Sequence, residues 1–191
     1  MGERTQDRRV RKTRKLLRQS LFQLMEHKRV QDITVREITE LSDLNRGTFY
    51  IHYKDVFDMM EQIEQELVED FNRVFENFTP NIEHNDPLPL FIELFRYLQE
   101  NADVGRVLLG PHGDMAFINR LKTFVRERCL TAWKQLFSPA GERNFDYFYA
   151  FIASGFVGLI DLWYQRDMPE DPETMARTAV KMITGCMHAL T

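Results

Sequence analysis

Apolar residues recur every three or four positions along most of this chain, the spacing of amphipathic helices. From Arg8 to His27, Val10, Leu17, Leu21, Leu24 and Met25 form one such stripe, with Leu16 and Phe22 beside it. The stretch ITVREI, Ile33 to Ile38, reads as a helix start. Thr34 can cap it, Glu37 at N3 completes a capping box, and Ile33 and Ile38 stand at the positions of a hydrophobic staple. This helix is expected to end near Ser42. Within ten residues the signal repeats, with Asn45 as cap and Leu44 and Phe49 as staple. Two short helices across a turn of about three residues predict a helix-turn-helix, its second helix running from Arg46 to about His52.

Beyond it the pattern predicts a long helix from Lys54 or Asp55 to about Phe78, then a break over residues 79–89. Further helices are expected at 90–99, 104–109, 115–137 and 145–166. A last one starts at Asp171-Pro172-Glu173 and runs to about His188. The expected fold class is all-α, about nine helices: an N-terminal three-helix head, residues 1–54, and a helical C-terminal domain for regulation and dimerisation, residues 55–191.

Charge divides the chain in the same way. Residues 1–54 hold 13 Lys/Arg against 7 Asp/Glu, whereas residues 55–191 hold 12 against 22. A basic head on an acidic body suits a polyanion-binding segment attached to something that is not one; a basic solvated tail would look the same. Arg8, Arg9, Arg11, Lys12, Arg14, Lys15 and Arg18 crowd the start of the first helix, where positive charge opposes the macrodipole unless an anion sits there.

Enzymatic chemistry finds little support. The five histidines are scattered, and neither a metal-ligand spacing nor a phosphate loop nor a nucleophile motif is present, so no metal, cofactor or catalytic residue is expected. Cys129 and Cys186 lie in apolar-periodic stretches, the N-terminus is charged where a secretory signal needs an apolar core, and the longest uncharged apolar run is about 14 residues, short for a membrane span. A soluble, cytoplasmic protein with no membrane partner is expected.

The segment LNRGTFYIHYKD, Leu44 to Asp55, carries the densest chemistry. The second helix of a helix-turn-helix presents its N-terminal residues to base edges in the major groove of double-stranded DNA. Gly47 would remove a side chain where the helix approaches DNA. Arg46 and Thr48 sit on the leading turn, suited to guanine O6/N7 and to a thymine methyl. Tyr50, His52 and Tyr53 offer donors at phosphate distance, Lys54 would open the next helix beside a phosphate, and Phe49 points into the small core. The competing reading is a purely structural helix pair with its aromatic residues in the core.

Residues 34 to 59, TVREITELSDLNRGTFYIHYKDVFDM, closely resemble the signature of the TetR family of transcriptional regulators, and residues 8 to 60 fit its pattern. Thr39 and Ser42 stand where that family commonly has alanine, and Asp43 where its turn commonly has glycine. Asp43 tolerates the left-handed conformation such a turn requires. The resemblance implies sequence-specific DNA binding, with Thr34, Arg36 and Asn45 near the phosphate backbone. It places Arg46, Thr48 and Phe49 on the base-facing side, and Tyr50, Tyr53 and Lys54 as phosphate anchors. For Phe49 it conflicts with the core position favoured above.

Such a head reads few base pairs, so a homodimer on a palindromic operator is expected. Ala150, Ser154, Gly155 and Gly158 form a small-residue strip permitting close helix approach, flanked by Trp163 and other large apolar residues. The resemblance implies that the last two helices form a four-helix bundle with a twofold mate; burial of this helix inside the monomer is the alternative. Residues 149–176 are also loosely similar to the family branch that includes dihydroxyacetone-kinase regulators, some of which work through protein co-regulators. A pocket for a small apolar or aromatic ligand is the family expectation. Its candidate lining is Phe91, Phe95, His112, Met115, Phe117, Phe124, Trp133, Phe148 and Trp163, residues that would equally serve as core. The implied function is a homodimeric repressor released by a small ligand. The alternatives are an activator controlled by a protein partner and an oligomerisation module with a vestigial head.

Overall fold

The computed structural model describes residues 2–83, 86–110, 112–133 and 142–188, and the side chains of 8–77, 86–110, 112–127 and 145–186. Among them there are nine α-helices and no strand: α1 (Gly2–Met25), α2 (Val35–Leu41), α3 (Arg46–His52), α4 (Val56–Glu83), α5 (Leu88–Glu100), α6 (Ala102–Leu109), α7 (Met115–Trp133), α8 (Glu142–Gln165) and α9 (Pro172–His188), with a single 3-10 turn at Val30–Asp32.

The chain forms two compact units, Met1–Glu66 with Val107–Asp114, and Leu67–Arg106 with Met115–Thr191. In the first, α2 packs on both α1 and α3. Leu17, Leu21 and Met25 of α1, Ile38 of α2, Phe49 of α3, and Val56, Met59, Met60 and Ile63 of α4 are all buried there. The core therefore lies where the apolar stripes converge, and the opposite face of α3 is left outward.

Both helix starts form as their sequences dictate. The Thr34 hydroxyl accepts from the Glu37 N–H, and the Glu37 carboxylate accepts in return from the Thr34 N–H at 2.9 Å. Ile33 and Ile38, the staple pair, are buried. The end of α2 closes as a Schellman motif, the Leu44 N–H donating to the Thr39 carbonyl and the Asp43 N–H to the Glu40 carbonyl, with Asp43 left-handed at φ 52°. Thr39, buried where an alanine is usual, donates its hydroxyl to the Val35 carbonyl at 2.9 Å, so it adds no unpaired polar group.

Several boundaries differ from expectation, three of them in ways that bear on the charged segments and the break. The helix expected from Arg8 begins at Gly2, so the basic cluster lies past its first turn. The break expected over 79–89 begins later, because α4 continues through Pro80 to Glu83; near the end of a 28-residue helix, one missing N–H removes a single intrahelical bond. Lys54 does not open α4. Asp55 caps that helix by accepting from the Asp58 N–H, and Asp58 accepts from the Lys54 N–H, both at 2.8 Å, so the cap is acidic and suits the dipole. The expected end at Phe137 of the helix over 115–137 lies outside the described residues.

In the second unit α9 packs against α5 and α8. Phe95 and Trp163 meet edge to face at 5.4 Å, and both touch the core through neighbours: Phe156 stands edge-on to Phe95, and Tyr164 stacks on Trp163. The Trp163 indole donates to the Glu170 carbonyl at 3.1 Å and the Tyr164 hydroxyl to the Leu98 carbonyl at 2.8 Å, which ties α8 to its own chain on this side. Its other side is exposed: Tyr147, Ala150, Phe151, Ser154, Gly155, Gly158 and Leu162. Among the described residues, one helix, Phe145–Gln165, has the length and apolar composition to cross a membrane.

Candidate nucleic-acid interface

The outward side of the helix-turn-helix is built from the two caps. Asn45 accepts from the Gly47 N–H at 2.8 Å, which fixes the first turn of α3 and leaves Arg46 and Gly47 exposed and Thr48 half-buried. A Cβ placed on Gly47 would meet the Asn45 side-chain oxygen at 3.5 Å, an ordinary contact. Nothing within the protein therefore demands glycine there.

Tyr50, on α3, is 58% exposed, and Lys54, two residues past the end of α3, is exposed. His52 is half-buried. Partial desolvation first, and the nearby Arg14 second, lower its pKa, so at pH 7 it stands as a neutral donor rather than a cation. Thr34 and Arg36 are exposed on α2. Arg36 is held by Glu40 at 2.6 Å, one turn along, an exposed pair of the weak kind that a phosphate can displace.

Tyr53 differs from the sequence reading. It is 2% exposed, with the Arg14 guanidinium 5.6 Å above its ring, so it belongs to the core rather than the phosphate-facing edge. Its hydroxyl, near the Arg18 guanidinium, meets hydrogen-bond geometry with no described residue. Phe49 is fully buried, as the physical reading of its spacing expected. Arg14 and Arg18 are turned inward, to Gln62 at 2.7 Å and to Glu66 respectively, whereas Arg8, Arg9, Lys12 and Lys15 are exposed on α1. Ile51, 78% exposed, is an outward residue the sequence reading passed over. Its position two residues beyond buried Phe49, nearly opposite on a helix, was the available signal.

The candidate ligand and dimer residues separate. Phe91 and Phe95 both meet Phe156, and Phe95 meets Trp163, so these three converge. Phe124 stands edge-on to Phe75, and Phe117 and Phe148 are buried. Met115 is exposed, which removes it from any enclosed lining, and His112 falls in the first compact unit, unlike the others. The Trp163 assignment to the dimer face changes, because Trp163 is core of its own chain and does not face outward; the Trp133 side chain lies outside the described residues. Ala150, Ser154, Gly155 and Gly158 share one exposed strip, and a Cβ on either glycine would meet nothing within 4 Å. Among the described residues no group of three or more His, Cys, Asp or Glu is placed to hold a metal ion.

The fold has solved counterparts. A TetR transcriptional regulator from Streptococcus agalactiae 2603V is 19% identical, with a TM-score of 0.60 over 95% of this chain and 99% of that one. The dihydroxyacetone kinase operon activator DhaS is 15% identical, with a TM-score of 0.57 over 93% and 97%. An uncharacterized HTH-type transcriptional regulator, YxbF of Bacillus subtilis (strain 168), is 29% identical over 75 residues, which is 39% of this chain and only 19% of that relative's length. A TetR family model described as the transcriptional regulator C-terminal region matches residues 85–185, just over half of the chain. Together with the all-α fold and the capped helix-turn-helix, these matches lead to one conclusion: this chain belongs to the TetR family of transcriptional regulators.

Proposed function

We propose that residues 1–54 read a palindromic DNA operator and that residues 55–191 dimerise the protein and regulate it. The observation that carries this reading is the outward face of α3, where Arg46, Gly47 and Tyr50 are exposed, with Lys54 exposed just past the helix end, and the glycine has room for a side chain it lacks. Arg46 and Thr48 lie toward base edges, while Thr34, Arg36, Asn45, Tyr50, His52 and Lys54 lie toward phosphates. The exposed strip of α8 pairs with its counterpart in a second copy, the small residues allowing close approach and Phe151 and Leu162 covering the seam. Two heads then fit half-sites roughly 34–36 Å apart, or a multiple of that. The protein acts in the cytoplasm as a repressor. A small apolar ligand among the aromatic residues around Phe91, Phe95 and Phe156 changes the separation of the heads and releases the operator.

Fluorescence anisotropy against a selected duplex, as salt is varied, tests the assignment. Lys54→Ala is expected to weaken all sequences alike with a salt slope shallower by about one, and Arg46→Ala to cost roughly 1–3 kcal/mol at particular bases. Uniform loss for Arg46→Ala would contradict base reading.

A second reading has its own support in the fold shared with an operon activator, DhaS. In this second reading the present protein activates transcription and answers to a protein partner. A reporter gene behind the operator separates the two by the sign of its response.

A further inference from the structure

We propose that Ile51 reads a thymine, by seating its methyl groups against the C5-methyl of the base; this rests on the DNA-binding reading of α3. Ile51 lies two residues beyond Phe49, which is fully buried, so it points nearly opposite the core. It is 78% exposed, and it follows Gly47 by one turn and Thr48 by three residues. Side chains on a helix lean toward its N-terminus, so Ile51 extends over the spot that Gly47 leaves bare. The apex of the outward face is thus a branched hydrocarbon rather than a polar tip.

The surroundings identify the occupant. Arg46 is exposed at the start of this short helix and Lys54 two residues past its end, and Arg8, Arg9, Lys12 and Lys15 are exposed on α1. An apolar partner protein would meet these charges with nothing to pair them, whereas a duplex supplies phosphates around a groove. Within that groove, the thymine methyl is the apolar feature presented by the base edges. Isoleucine therefore selects by apolar contact, where arginine would select by hydrogen bonding.

The test starts from a library of random-sequence duplexes. The consensus recovered by the wild type is remade with each thymine replaced in turn by deoxyuridine, which removes the methyl and keeps the pairing. Wild type is expected to lose about fourfold in affinity at one position per half-site, the effect of burying one methyl group. Ile51→Ala, at a site too exposed to disturb folding, is expected to bind the thymine and uracil forms alike. Equal binding of both forms by wild type at every position would overturn the assignment. So would a methyl effect that persists in Ile51→Ala, which would pass the contact to Thr48. If no sequence is enriched at all, the DNA-binding reading falls, and Ile51 with it; a consensus insensitive to uracil removes Ile51 alone.

Discussion

Asn45 caps α3 by accepting from the Gly47 N–H at 2.8 Å, and the same oxygen is the nearest atom that a Cβ on Gly47 would meet, at 3.5 Å. The protein thus has room for alanine at a helical position that holds glycine. Gly47→Ala is expected to leave stability unchanged or raise it by up to about 1 kcal/mol. DNA affinity should fall by about tenfold or more, because the added methyl stands where the helix approaches the groove. A thermal melt and a binding titration on the same sample check both halves. A destabilised variant with intact affinity would contradict the close approach.

Tyr53 and Tyr50 have opposite fates despite their similar surroundings in sequence. Tyr53→Phe removes a buried hydroxyl near the Arg18 guanidinium, so stability should change by no more than about 1 kcal/mol, with DNA affinity unchanged. Tyr50→Phe removes an exposed donor and should weaken binding to all sequences alike. If Tyr53→Phe instead weakened DNA binding, Tyr53 would have to leave the core in the complex.

The Lys28 ammonium first, then the Thr34 backbone N–H and hydroxyl, hold the Glu37 carboxyl at about 2, below its ordinary 4.5. A carboxylate whose pKa is lowered by folding leaves the unfolded chain binding more protons. Its stabilisation is therefore complete above about 4.5 and lost as pH falls from there toward 2. Chemical denaturation across that window should show stability falling with acid, and Glu37→Gln should flatten this part of the profile. An identical profile in the variant would remove the capping box as its source.

The dimer proposal gives a separation of its own. A Cβ on Gly158 meets nothing within 4 Å in the single chain, so Gly158→Glu should fold with a helical spectrum like that of the wild type. It should sediment as a monomer where the wild type sediments as a dimer, and bind a palindrome with the affinity of one half-site. A dimeric Gly158→Glu would place the interface elsewhere.

What could be read from the sequence was what neighbours in the chain decide. Thr34 with Glu37, Asn45 with Gly47, and the left-handed turn at Asp43 involve residues within a few positions of one another, and each forms as its sequence indicates. Burial was harder, because it is set by distant helices. Tyr53 looks like an edge donor until Arg14, 39 positions earlier, covers its ring. Trp163 looks like part of an interface until Phe95 and the Glu170 carbonyl fix it inward. Lys54 was misplaced for a local reason: an aspartate cap one residue later, supported by Asp58, starts α4. The role of Ile51 was not legible, because the outward exposure of an apolar residue shows only once the core is known.

The central claim is that the outward face of α3 reads a specific palindrome. Selection of bound duplexes from a random-sequence library, run in parallel with wild type and with a Lys54→Ala, Tyr50→Ala double variant, tests it most directly. The account predicts a twofold-symmetric consensus recovered by the wild type and lost in the variant. No enrichment by the wild type, or the same consensus in both, would contradict it.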